Sequence, residues 1–140
     1  MEENTWIGLV IAAVVVGFIL FQKPNSPVEE LKAQTMAIHD EAMVEMAEMN
    51  RIGRALKREL AQLPEEAPRA DSIRTVLRQM KKAESDMYDW MRQYQDPIDR
   101  PQEEALRYLE EKKRLISQNQ QDIRAARDAG RQLFDAQPNR

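Results

Sequence analysis

Apolar residues recur every three, four or seven positions after residue 26, and only two proline-containing segments interrupt this spacing. Such spacing puts apolar side chains on one face of a helix, so it predicts amphipathic helices. The interruptions are LPEEAP at 63–68 and DPIDRP at 96–101, where proline cannot continue a helix. Three long helices joined by short breaks predict an all-α fold, an up-down-up three-helix bundle over residues 26–135. Residues 136–140 are predicted to be a disordered tail.

Each predicted helix has its own start signal and apolar seam. Ser26, Pro27 and Glu29 form a capping box with proline at the first helical position. The second helix is predicted from about Asp71 to Gln95, and the third follows Pro101. The seam residues are Leu31, Ile38, Ala42, Met49, Ile52, Leu56, Leu60 and Leu63, then Ile73, Met80, Met87 and Tyr94, then Ala105, Leu109, Ile116, Ile123, Gly130 and Leu133. Lys112 and Asn119 occupy seam positions as polar residues, which weakens this face midway.

An apolar run precedes the bundle and predicts a membrane anchor. WIGLVIAAVVVGFILF, residues 6–21, is sixteen residues long and carries no charge, which is near the short end of the transmembrane range. A cleaved signal peptide would begin with a positive segment and end in small residues, but this chain begins MEENT and continues FQKPNSP. Residues 1–25 are therefore predicted to be an uncleaved single transmembrane helix that contacts lipid through residues 6–21.

Composition excludes several kinds of function. The net charge is −3 and both signs are interspersed, with no basic patch along the chain, so nucleic acid is not an expected partner. The chain has no cysteine, which excludes thiolate metal sites and thiol catalysis. A single histidine cannot supply the paired Glu-x-x-His motifs of a di-iron site, and no glycine-rich phosphate loop is present. The expectation is a protein that binds and does not catalyse.

The segment MAIHDEAMVEMAEM at 36–49 holds that histidine among methionines. If the first turn folds near position 66, residues 39–46 lie beside DMYDWM at 86–91, and a second fold near 98 brings Tyr108 to the same layer. The residues predicted to gather at this end of the bundle are His39, Met43, Met46, Met87, Trp90 and Met91.

Two interpretations of this cluster remain open. Thioethers and imidazole are ligands for a soft monovalent ion, so His39, Met43, Met46, Met87 and Met91 are candidates for a Cu(I) or Ag(I) site with Trp90 adjacent. Methionine is also a flexible filler of helix-bundle cores that contacts aromatic rings favourably. Helical angles put His39 and Met46 beside the core face, with Met43 further round.

Three segments carry a resemblance to a known family. They are AIHDEAMVEMAEMNRIGRALKREL, AESDMYDWMRQY and EEALRYLEEKKRLISQNQQDIRAA, covering roughly residues 31–127. Their pattern resembles small helical envelope proteins found mainly in bacteria of the Bacteroidetes group, some lipid-anchored and some with an N-terminal span. The matching residues are His39, Asp40, Glu41 and Met43, then Met87, Trp90 and Met91, then Tyr108, Leu109 and Lys113. This chain departs from the lipid-anchored members because it has no lipobox cysteine.

The resemblance implies an extracytoplasmic domain and brings no established activity. Lys23 and Lys32 follow the apolar run and no basic residue precedes it, which favours a cytoplasmic domain instead. The expected location is the inner membrane with the bundle outside the cytoplasm. The expected role is an accessory or scaffolding protein, or a small subunit of a membrane complex, with a protein partner in the membrane or envelope. The alternative is a Cu(I)-binding or copper-delivery protein.

Overall fold

A computed structural model describes residues 26–136 of the chain, and in them it shows three α-helices and no strand. These are α1 (Pro27–Leu60), α2 (Pro68–Gln93) and α3 (Gln102–Asp135). The prediction of an all-helical fold of three packed helices is confirmed. None of these three helices is long and apolar enough to cross a membrane. The predicted anchor, residues 1–25, and tail residues 137–140 lie outside the described residues.

The helix ends follow local capping chemistry. At the start of α1, the Glu29 backbone N–H donates to Ser26 Oγ and the Ser26 N–H donates to Glu29 Oε2, each at 3.2 Å, so the predicted capping box is formed. The second helix begins at Pro68, before the predicted Asp71. Pro68 can start α2 because the first helical position needs no N–H donor, whereas α1 has already ended at Leu60. In α3, Pro101 is the N-cap and Gln102 the first helical residue.

Contacts between side chains define the direction of each helix. Pairs linking α1 to α3 keep a nearly constant sequence separation of 79 to 83, so these two helices are parallel: Gln34–Lys113, Glu45–Arg124 and Glu48–Arg131. Pairs linking α1 to α2, or to the loop directly after it, run in opposite order, so these helices are antiparallel: Lys32–Asp96, Asn50–Glu84 and Glu59–Arg69. The order is therefore up-down-up, and α1 packs most extensively on α3.

The core largely follows the predicted seams, although six seam residues are only partly buried: Leu31, Ile38, Leu60, Leu63, Tyr94 and Leu133. Met46, expected beside the core face, is buried at 3% exposure. The polar seam residues Lys112 and Asn119 are buried as well, and Asn119 Nδ2 donates to the Asp86 backbone oxygen at 3.2 Å. Asn119 can therefore stay inside because a hydrogen bond satisfies its side chain, whereas Lys112 Nζ lies over the Tyr108 ring.

Two glycines make room for one methionine in the half of the bundle near the 61–67 turn. A Cβ on Gly130 of α3 would overlap the Met80 Cε and lie 3.0 Å from Ile52 Cγ2. A Cβ on Gly53 of α1 would lie 3.2 Å from Met80 Sδ. Met80 of α2 is thus inserted between two helix backbones that have no side chain at those points.

Candidate functional site

The histidine lies where the predicted alignment of α1 and α2 puts it. The His39 ring stacks on Trp90 with 5.5 Å between ring centroids and 22° between planes. Its side chain is 14% exposed, and Nδ1 lies 3.0 Å from Asp40 Oδ1. A hydrogen bond at Nδ1 leaves Nε2 as the nitrogen that a metal ion would use.

The methionines of the predicted cluster lie at different depths. Met46 and Met87 are buried in the core, and Met43 is partly buried against it. Met91 is one turn from Met87 on α2, yet it is 40% exposed. Met46 and Met87 therefore act as core packing, while His39, Met43 and Met91 lie nearer the surface.

A column of aromatic rings extends from Trp90 across this end of the bundle. Trp90 and Tyr94 stack with centroids 4.9 Å apart, and Tyr94 meets Tyr108 of α3 at 6.3 Å. Trp90 is buried, and its Nε1–H donates to the Lys112 backbone oxygen at 3.0 Å. We call this end, with His39, Trp90, Tyr94 and Tyr108, the aromatic end.

The sequence pattern predicted Tyr108 in this layer and Tyr94 in the seam of α2, but it did not predict that Trp90 and Tyr94 stack. The available signal was the four-residue spacing of Trp90 and Tyr94, which puts both rings on one helix face.

Polar groups close the aromatic end. The Tyr108 hydroxyl accepts a hydrogen bond from the Gln95 backbone N–H at 2.7 Å, just beyond the end of α2. The Arg100 guanidinium lies 4.1 Å from the Tyr108 ring centroid, and Lys112 Nζ lies 5.5 Å from it, both within cation–π range. These contacts fix the loop after α2 against the start of α3.

An ion pair joins the start of α1 to the same loop. Lys32 donates to the Asp96 carboxylate, and this hydrogen bond raises the pKa of the lysine. The Tyr94 hydroxyl is buried, and no group in residues 26–136 hydrogen-bonds to it. Burial, followed by the charge of Asp96, raises the pKa of Tyr94. Asp96 contributes to both shifts.

The interactions at the aromatic end are mainly ring stacking, hydrogen bonds and one ion pair. Within residues 26–136, no group of three or more His, Cys, Asp or Glu side chains is placed to hold a metal ion. Methionine thioethers are a different class of donor, so the Cu(I) or Ag(I) site at His39 and the methionines stays a prediction.

Comparison with models of protein families, with curated proteins and with solved structures finds no match to this chain.

Proposed function

We propose that this protein is a single-span, membrane-anchored, non-catalytic helical bundle that acts as a scaffold or small subunit of a membrane complex in the bacterial envelope. The observation that carries the proposal is that the bundle of three long helices, which we call the rod, begins a few residues after the apolar run. The capping box at Ser26 starts α1 five residues after Phe21, so a short link joins rod to run. The 34 residues of α1 span about 50 Å at about 1.5 Å per residue.

Charged side chains support this role because many of them tie one helix to another. Arg124 Nε donates to both Glu45 oxygens at 2.8 and 2.9 Å. Arg69 of α2 bonds Glu59 of α1 and donates to the Leu133 backbone oxygen of α3 at 2.8 Å. Long helices tied at several levels keep the two ends of the rod at a fixed distance, as a scaffold requires.

Membrane fractionation of the full chain tests the anchor. Wild type should stay in the membrane pellet after alkaline carbonate extraction. Val14→Lys/Val16→Lys should move into the soluble fraction, because each charge near the centre of a span costs about 2.5–3.5 kcal/mol. The matched control is Val44→Lys/Ile98→Lys, which changes two exposed aliphatic residues of the bundle in the same way. Wild type that washes off the membrane would rule out the anchor.

We place the bundle on the extracytoplasmic side, on the strength of the family resemblance. Lys23 and Lys32 favour the opposite side, and a reporter fusion distinguishes the two orientations. Alkaline phosphatase fused after Asp135 should be active, because that enzyme folds only outside the cytoplasm. An active cytoplasm-only reporter at the same point would reverse the location.

A protein partner follows from the scaffold role. Mild detergent extraction and purification through a tag after Arg140 should recover the chain together with a second membrane or envelope protein. Consistent recovery as a free monomer would contradict the scaffold role even if the anchor is correct.

The second candidate function is binding or delivery of Cu(I). One observation favours it: the His39 ring stacks on Trp90, and Trp90 lies between Met87 and Met91 in the sequence. Cu(I) at about a hundred times its dissociation constant should then stabilise the fold by about 2.7 kcal/mol. His39→Gln and Met91→Leu should abolish that gain without changing metal-free stability, and Met49→Leu in the core is the control. No rise in melting temperature with Cu(I) would eliminate this candidate.

A further inference from the structure

A groove of about 600 Å³ runs between α1 and α2 in the half of the bundle near the 61–67 turn. Four cations line it: Arg54 and Lys57 from α1, and Arg78 and Lys81 from α2. Each helix contributes its pair at a spacing of three residues, so both cations of a pair lie on one helix face. We call this part of the molecule the basic end.

The floor of the groove is apolar. It is formed by Gly53, Leu77 and Met80, the last being the methionine inserted between the two glycines. The groove exists because α1 and α2 make the least extensive contact of the three helix pairs, each packing more closely on α3. An apolar floor between basic walls differs from an ordinary solvated charged face.

In the part of the chain that the structure describes, three of the four groove cations have no side-chain partner, and the fourth has only a hydroxyl. Within residues 26–136, the side chains of Arg54, Lys57 and Lys81 have no hydrogen bond or ion pair, and Arg78 donates only to the Thr75 hydroxyl, at 3.0 Å. The carboxylate in the lining, Glu84, accepts a hydrogen bond from Asn50 Nδ2 at 2.8 Å. The four cations and the Glu84 carboxylate leave an excess of three positive charges in the groove lining.

We infer that this groove docks an acidic amphipathic helix of another protein. Apolar side chains on one face of such a helix would cover the partly exposed Leu77 beside the buried Met80. Flanking carboxylates would meet the cations on both walls, the usual helix-in-groove arrangement. A fourth helix in this position would complete a four-helix bundle. A flat anionic surface would pair with the walls but leave the apolar floor uncovered, so the concave shape favours a helix.

This inference rests on the proposed scaffold function, since it names the chemistry of the partner that the rod would hold. The proposed function and the groove inference are tested by different measurements, so one can be contradicted without the other. Loss of membrane association contradicts the anchor, whereas groove binding is measured on full-length protein in detergent micelles and does not depend on the membrane.

The experiment is a fluorescence anisotropy titration with a labelled peptide of about 18 residues, with leucine at i, i+3, i+4 and i+7 and glutamate in the flanks. Arg54→Gln/Lys81→Gln should weaken binding roughly five- to tenfold at low salt, because each rim ion pair contributes modestly. Arg107→Gln/Arg114→Gln removes two exposed cations of α3, at 68% and 64% side-chain exposure, and should leave the affinity unchanged. Higher salt should weaken binding to wild type.

Peptide controls separate shape from charge. A peptide of the same composition with scrambled spacing, and one with lysine in place of glutamate, should both bind at least fivefold more weakly. Leu77→Gln should also weaken the acidic peptide severalfold while the helical circular dichroism signal is kept. Equal binding of the scrambled peptide, equal binding to the Arg54/Lys81 variant, or groove-dependent binding of a short DNA duplex in place of the peptide would each overturn the inference.

Discussion

At the aromatic end, lysine and arginine side chains interact with aromatic rings, amides or carboxylates. At the basic end, three of the groove cations have no side-chain partner in residues 26–136. Arg100 and Lys112 lie over Tyr108, and Lys32 pairs with Asp96. The cations of the groove face solvent across an apolar floor. The cations of the aromatic end contact groups of this chain, whereas we infer that the cations of the basic end contact another protein.

The two ends also bring their helices together differently. Large rings fill the aromatic end, with Trp90 buried between α1 and α3. In the other half, Met80 fits into the space that Gly53 and Gly130 leave free. The free energy of unfolding should therefore fall when a large side chain is truncated at the aromatic end. Near Met80 it should fall when a side chain is added at Gly130.

Trp90→Ala should have the largest effect, because it removes the ring at the centre of the aromatic end. Truncating a buried tryptophan costs about 3–5 kcal/mol, and here the hydrogen bond to the Lys112 oxygen is lost as well. Urea denaturation followed by circular dichroism measures it. Tyr88→Ala, on the same helix but 43% exposed, should cost less than about 1 kcal/mol. Similar losses for both would show that the aromatic end is not the packing centre described above.

Gly130→Ala tests the other packing device by adding one methyl group. The new Cβ must displace the Met80 Cε and press on Ile52, an overpacking cost of about 1–3 kcal/mol, offset by about 1 kcal/mol of helix propensity. The expected net loss is about 1 kcal/mol. Gly53→Ala, whose Cβ would lie 3.2 Å from Met80 Sδ, should be nearly neutral because strain and propensity balance.

A double variant identifies the residue responsible. Met80→Leu removes the terminal methyl that Gly130 accommodates, so Gly130→Ala should cost less in a Met80→Leu background than in wild type. Additive losses in the two variants would mean that Met80 does not occupy the glycine notch.

Sequence periodicity predicted the helices and their alignment, because seam spacing and proline breaks are local signals. The proposed turn near 66 put His39 beside the 86–91 segment, and the ring contact with Trp90 agrees. The burial of Met46 was missed, because helical angles do not show how far a neighbouring helix covers a face.

The basic groove was missed for a different reason. Arg54 and Lys57 are separated from Arg78 and Lys81 by the turn, and the sequence intersperses acidic residues between them. Read along the chain, the charges are mixed. The same turn position that puts His39 beside the 86–91 segment also puts Arg54 beside Arg78. The alignment of α1 with α2 therefore predicts the groove, whereas the composition of the chain does not.

Glu45→Gln should have a smaller effect, on the interface of α1 and α3 that both ends share. The Glu45 side chain is 13% exposed and accepts two hydrogen bonds from Arg124. Losing the charge while keeping an acceptor should cost about 0.5–1.5 kcal/mol, with a smaller difference at high salt. Glu111→Gln, whose partner Arg114 is on the same exposed helix face, should produce no measurable change. Equal effects would mean that the interhelical pairs contribute no more than surface pairs.

Tyr94→Phe should have the smallest effect at neutral pH and should be stabilising by up to about 1 kcal/mol. It keeps the ring that stacks on Trp90 and removes a buried hydroxyl that no group in residues 26–136 satisfies. Burial, and then Asp96, raise the pKa of this hydroxyl, so the unfolded chain loses the phenolic proton first as pH rises. The stability that the neutral phenol contributes is complete below its ordinary pKa of about 10 and is lost as pH rises toward the higher folded value.

Wild type should therefore lose more stability than Tyr94→Phe between about pH 8 and about pH 11. Urea midpoints at both pH values measure the difference, with Tyr88→Phe as the control because it removes an exposed hydroxyl from the same helix. If Tyr94→Phe is destabilising at neutral pH, its hydroxyl must donate to a group outside residues 26–136 or to water. The hydroxyl would then be satisfied, and Tyr94 would stabilise the aromatic end through a hydrogen bond as well as through ring stacking on Trp90.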